Sequence, residues 1–230
     1  MAFDPSKYTV PEPWMLPVIL LVDVSNMMLS EGIDSLHSGV ERMISDLKLT
    51  FSNDILLKMS ILTYGGGAVR LHIFSEDSPY ISVYALDEEP LADFVYGEGT
   101  PMGVALRMCK DMIEDREITR NRICKPVIVL ISSSKPTDAY EGYLNAFITE
   151  GRSSKCDRLA VAVGDKVDRE LLERFTGDKN NVFVAGDESE VHSCFRKVDW
   201  FVSDRVNPRA RLMYHGPVTD EDEDDYEGYI

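Results

Sequence analysis

The sequence is short of positive charge. Its 24 Lys and Arg stand against 40 Asp and Glu, a formal net charge of −16 over 230 residues. Such a balance repels phosphate backbones and anionic bilayers, so neither nucleic acid nor a membrane is the expected partner; basic proteins or cations are. Long apolar runs are also missing. The longest, "WMLPVILLV", is too short to span a bilayer and stops at Asp23. The opening "MAFDPSKYTV" has no basic stretch leading into an apolar one, so no secretory signal is expected.

Cysteine is scarce. Cys109, Cys124, Cys156 and Cys194 lie far apart with no C-x-x-C, which excludes a dense disulfide framework and the common zinc spacings. Each is expected to serve as a small hydrophobe in a reduced, cytoplasmic protein. Catalytic signatures are absent too. There is no G-x-x-x-x-G-K-[ST] phosphate loop and no G-x-S-x-G elbow. Gly65 to Gly67 fall in a hairpin rather than before a helix, where they cannot cradle phosphate. His37, His72, His192 and His215 show no ligand-like spacing. Asp23-x-Ser25 lacks the second acid of a D-x-D phosphatase loop, so a phosphoester-acting enzyme ranks third among the functional readings.

What is present is an ample core: 44% of the residues are hydrophobic, enough for one domain of this length. Residues 1–15 are aperiodic and read as an extended arm. "LPVILLVDV" reads as a strand buried on both faces, and Ile33, Leu36, Val40, Met43, Ile44 and Leu47 mark a helix. "ILLKMSILTY" and "AVRLHIFS" form a hairpin across the glycines, and "YISVYAL" adds a short edge strand. A helix is expected from Thr100, with Thr100 as N-cap, Pro101 at its first position, and Val104, Leu106, Met108, Met112 and Ile113 facing the core. "KPVIVLISS", "DRLAVAVG" and "NVFVAG" are strands alternating with three further helices. The alternation predicts an α/β fold: a central, mostly parallel sheet with one antiparallel edge hairpin and helices on both faces. The domain is expected over 16–205, followed by a tail over 206–230. Seven acids and no bases fall in "TDEDEDDYEGYI", leaving the body near −9. That tail reads as solvated or as a docking segment for a basic partner, with Tyr226, Tyr229 and Ile230 as anchors.

Ligands of open parallel sheets sit outside the carboxyl ends of the strands. Three polar stretches fall there: Asp23-Val-Ser25-Asn26-Met27, Gly97 to Gly103, and Ser132 to Asp138. In order, spacing and helical context they resemble a von Willebrand factor A domain, over about Pro17 to Arg205. "LPVILLVDVS", "GTPMGVAL" and "KPVIVLISSSKPTD" are most similar to its tellurium-resistance TerY-type bacterial branch. The resemblance implies a Rossmann-like fold and a metal-ion-dependent adhesion site binding Mg²⁺ or Mn²⁺ through D-x-S-x-S, a distal Thr and a distal Asp. Asp23, Ser25 and Thr100 match the first acid, the first serine and the threonine. Met27 replaces the second serine, Ser133 the distal aspartate and Ser134 the following glycine; Asp138 matches the acid of the trailing P-T-D. A thioether contributes nothing to a hard cation's shell, and Ser133 removes a charge that would balance it. The expectation is a degenerate site that is empty or weak, with Glu98 as a candidate substitute carboxylate.

The resemblance further implies a protein-interaction scaffold in a bacterial stress response, partnered with a Ser/Thr kinase and a PP2C-like phosphatase. Its binding rim would include Asn26, Glu98, Ser132, Ser134 and Asp138. Ser25, Thr100, Ser132, Ser133 and Ser134 are candidate phosphorylation sites. The alternative is an adhesion module that coordinates a partner carboxylate through Mg²⁺ or Mn²⁺. Without any ligand, Asp23 and Ser25 still have a turn to brace.

Overall fold

The computed structural model describes residues 13–25, 30–50, 52, 54–72, 78–86, 94–118, 123–186 and 188–206. Its elements run β1 (Trp14–Asp23), α1 (Ser30–Leu47), β2 (Ile55–Gly65), β3 (Ala68–His72), β4 (Ile81–Ser82), α2 (Met102–Glu114), β5 (Val127–Ser132), α3 (Tyr140–Thr149), β6 (Asp157–Val163), α4 (Arg169–Thr176), β7 (Val182–Ala185) and α5 (Glu188–Val206). The sheet order is β3-β2-β1-β5-β6-β7, with β4 also on β2. Pairing is parallel except at that edge, where both β3 and β4 run antiparallel to β2. The α/β architecture with an antiparallel edge is the one the alternation of strands and helices predicts.

Successive residues of β1 feed opposite cores, which is why the strand reads as continuously apolar. Leu16, Val18, Leu20 and Val22 pack with α1 and α5 through Val40, Met43, Phe195 and Val198. Ile19 and Leu21 pack with α2, α3 and α4 through Leu106, Phe147 and Phe175. Each such side chain contributes roughly 1.5–3 kcal/mol by leaving water, and one strand serves both layers.

Three sequence expectations need revision. β1 begins at Trp14, whose N–H donates to Asp54 O at 2.7 Å, so the sheet takes up the last residues of the expected arm. The second helix begins at Met102, and neither Thr100 nor Pro101 supplies a side-chain cap. Its buried stripe is Met102, Ala105, Leu106, Cys109, Met112 and Ile113, whereas Val104 is 46% exposed. Val104 lies within one residue of the true stripe, and at 100° per residue that moves it onto the solvent side. Asn26, Met27, Met28 and the tail beyond Val206 lie outside the described residues. Among those residues no helix is long and apolar enough to cross a membrane.

Candidate functional site

The site follows from the strand order. Placing β5 beside β1, with Val22 in register with Ile131, brings the exits of the two strands together. Asp23 thereby meets Ser133 across 110 positions. Asp23 is only 1% exposed. Its Oδ1 accepts from Ser25 N–H at 2.9 Å and from Ser25 Oγ at 2.5 Å. Its Oδ2 accepts from Ser133 N–H at 3.0 Å, Ser133 Oγ at 2.9 Å and, more weakly, Ser134 Oγ at 3.3 Å. Burial pushes the carboxyl pKa above its ordinary value, opposed by the Ser25 and Ser133 donors.

Above the carboxylate lie three hydroxyls in a triangle. Ser25 Oγ and Thr100 Oγ1 are 2.8 Å apart, Thr100 Oγ1 and Ser134 Oγ 2.8 Å, and Ser25 Oγ and Ser134 Oγ 3.1 Å. Thr100 reaches this position through a reciprocal link between loops. Its N–H donates to Thr137 Oγ1 at 2.8 Å, and Thr137 N–H donates back to Thr100 O at 3.0 Å. Asp138 then takes over the capping expected of Thr100. It accepts from Gly103 N–H at 3.1 Å and Val104 N–H at 3.0 Å, placing a negative charge at the positive end of α2. Gly97 packs its backbone on Gly66, and a Cβ at Gly97 would lie 2.7 Å from Gly66 N. Ser132 Oγ, also buried, donates to Ser134 O at 3.1 Å. Glu98, the candidate substitute carboxylate, is exposed at the loop edge.

A resident divalent ion can be tested against this donor set. The triangle edges of 2.8–3.1 Å are near the ~3.0 Å between adjacent oxygens of an octahedral Mg²⁺ shell with bonds of about 2.1 Å. Spacing alone therefore admits an ion. Charge and saturation do not: the one carboxylate already accepts five hydrogen bonds, against about four lone-pair sites. Among the described residues no group of three or more His, Cys, Asp or Glu comes together to hold a metal. The residues present do not fit a tightly held cation.

Sequence reading missed an apolar fringe around this cluster. Val95 is 56% exposed, Tyr96 48%, Val104 46% and Tyr143 36%. The first two precede Gly97, and the Tyr143 ring lies against Gly103 at the start of α2. Val104 was hidden by its closeness to the helical stripe; nothing in local periodicity marks the other three.

The fold and the Asp23 cluster define a von Willebrand A-type α/β domain. The sequence profile of the von Willebrand factor type A domain matches residues 18–197, and the chain belongs to that family. Proximal thread matrix protein 1 from the mussel byssus superposes with a TM-score of 0.63 at 12% identity, over 83% of this chain and 49% of that one. A second structure of the mussel protein has a zinc-occupied adhesion-site motif (TM-score 0.62, 13% identity, 83% and 48% coverage). A von Willebrand factor type A protein from Catenulispora acidiphila matches with a TM-score of 0.58 at 10% identity, over 81% and 42% of the two chains. The chain spans about half the length of these structures or less, and the likeness concerns the fold alone. No curated protein matches the chain significantly.

Proposed function

We propose that this domain is a non-enzymatic protein-interaction module that binds through the rim at the carboxyl ends of its strands, without a resident metal. Von Willebrand A domains typically serve as interaction or adhesion modules, which supports the class of function. The observation that carries the rim is the exposed fringe of Val95, Tyr96, Val104 and Tyr143 around a polar cluster that satisfies itself. Apolar side chains around a saturated polar centre suit a protein surface better than a small charged ligand.

The finer reading follows from the TerY-type resemblance: a cytoplasmic scaffold of a tellurium-resistance-like stress response, working with a Ser/Thr kinase and a PP2C-type phosphatase. Burial narrows its phosphorylation sites. Ser25, Thr100, Ser132 and Ser133 are 1–2% exposed, while Ser134 is half-buried. Ser134 is the hydroxyl a kinase reaches with the least opening of the loop. Phosphate there would add up to about two negative charges beside Asp23 and drive the loop outward.

The test compares proteins retained from the native host by the intact chain, with and without EDTA, and by a Val104→Asp/Tyr143→Asp variant. Retention that survives EDTA and is lost in the variant supports the rim. Loss in EDTA alone favours the alternative, a Mg²⁺- or Mn²⁺-dependent adhesion module. Incubation with a co-retained kinase, followed by mass spectrometry, decides whether Ser134 is modified.

A further inference from the structure

At the opposite end of the sheet a cavity of about 830 Å³ opens among the N-terminal ends of β5, β6 and β7. Four cations line it, Lys125, Arg152, Lys155 and Arg158, against one acid, Asp157. Asp157 is already shared between Lys125 Nζ at 2.6 Å and Arg205 Nη2 at 2.6 Å. Arg158 donates to the carbonyls of Phe175 at 2.6 Å and Ser154 at 3.0 Å, which orient the guanidinium without cancelling its charge. The rest of the lining is mixed, with Ile113, Ile123 and Pro126 as an apolar part beside Ser154, Thr176 and Asn181. In a chain of net charge −16, such a concentration of cations focuses a positive field in one concavity.

We infer that this cavity binds the acidic segment Asp220–Glu227 of the same chain. Seven of those eight residues are acids, so charge is complementary in both sign and density. Connectivity also favours it. Arg205 sits one residue before the end of α5 and touches the Asp157 that lines the cavity, so the chain leaves the domain at the cavity's edge. The 13 residues from 207 to 219 reach up to about 45 Å when extended, ample for a return to a site beside their origin. Tyr226 supplies an aromatic ring for the apolar part of the lining. A tether of this length holds the segment at an effective concentration on the order of millimolar, enough to populate even a weak ionic contact. Screening over about 8 Å at physiological salt makes that contact sensitive to ionic strength.

Zero-length carbodiimide cross-linking of the full chain, read by mass spectrometry, tests this. Amide links are expected from the acids of 220–227 to Lys125 and Lys155, at low salt and not at 0.5 M NaCl. With isotopically heavy and light chains mixed, the linked peptides should come from one chain. Lys155→Glu should lower the remaining yield at Lys125 about five-fold, since a like charge now faces the segment. In a variant with the seven tail acids changed to amides, amine labelling of Lys155 should quicken about three-fold. Links spread evenly over Lys110, Lys135 and Lys166, links mainly between heavy and light chains, or an unchanged labelling rate would each overturn the inference.

Discussion

Ser134 Oγ lies 2.8 Å from Thr100 Oγ1, tying the loop after β5 to the loop before α2. Ser134 stands where the family pattern has glycine, which carries no hydroxyl. The same oxygen is within 3.1 Å of Ser25 Oγ and 3.3 Å of Asp23 Oδ2. One serine thus contacts all three residues that match the family's metal ligands and supplies a polar partner where an ion would bring charge.

Metal affinity should be poor and recoverable. Titration calorimetry of the native chain is expected to show no Mg²⁺ or Mn²⁺ binding tighter than about 1 mM. Met27→Ser, Ser133→Asp and Ser134→Gly together restore a hard-oxygen set with a second carboxylate, and binding should strengthen at least about ten-fold. Sub-millimolar binding by the native chain, abolished by Asp23→Ala, would instead establish the adhesion reading.

Asp23→Ala should destabilise the fold by about 3 kcal/mol, because the buried N–H groups of Ser25 and Ser133 lose their acceptor. In a domain of this size that is a fall in Tm of roughly 6–12 °C. Burial makes the charge itself costly, as the raised pKa indicates, so Asp23→Asn, which keeps one acceptor, should lose less. Equal losses from the two variants would contradict this account.

Removing the Asp138 carboxylate should loosen α2. Asp138→Ala leaves Gly103 and Val104 N–H to water, at a cost of about 1 kcal/mol. The urea midpoint should fall with an unchanged m-value. A change in m would mean the loop had rearranged.

Asp199 in α5 has its carboxyl pKa pushed up to about 6, first by burial and then by the negative charge of Asp46 in α1. The folded pKa lies above the unfolded 3.8, so the folded state holds its proton longer. Stability from this group is therefore full below about pH 4 and is lost as pH rises through about 6. At pH 7, Asp199→Asn should stabilise the chain by about 1–2 kcal/mol after allowance for partial exposure. At pH 3.5 the two proteins should melt alike, and a gain there equal to that at pH 7 would refute the assignment.

Much of the architecture was legible because the signals were strong and local. β1 and β5 are apolar on both faces, as only strands sandwiched by helices need to be. The three polar stretches were recognisable because Asp23, Thr100 and the serines after β5 keep a family order. Capping was misjudged for a physical reason: Thr100 has the right chemistry for α2, but Asp138 outbids it from 35 positions away with a full charge. Val104 was misplaced because a one-residue phase error on a helix exchanges core for solvent.

The sequence by itself determined the elements, the two-faced sheet and the residue types available at the strand exits, since these depend on composition and on periods of two and 3.6 residues. Only the tertiary structure decided that five donors converge on Asp23, that Ser134 completes a hydroxyl triangle, and that Lys125, Arg152, Lys155 and Arg158 share one cavity. Hydrogen bonds and fields act over a few ångströms of space, and separation along the chain does not reveal which groups the parallel crossovers bring that close.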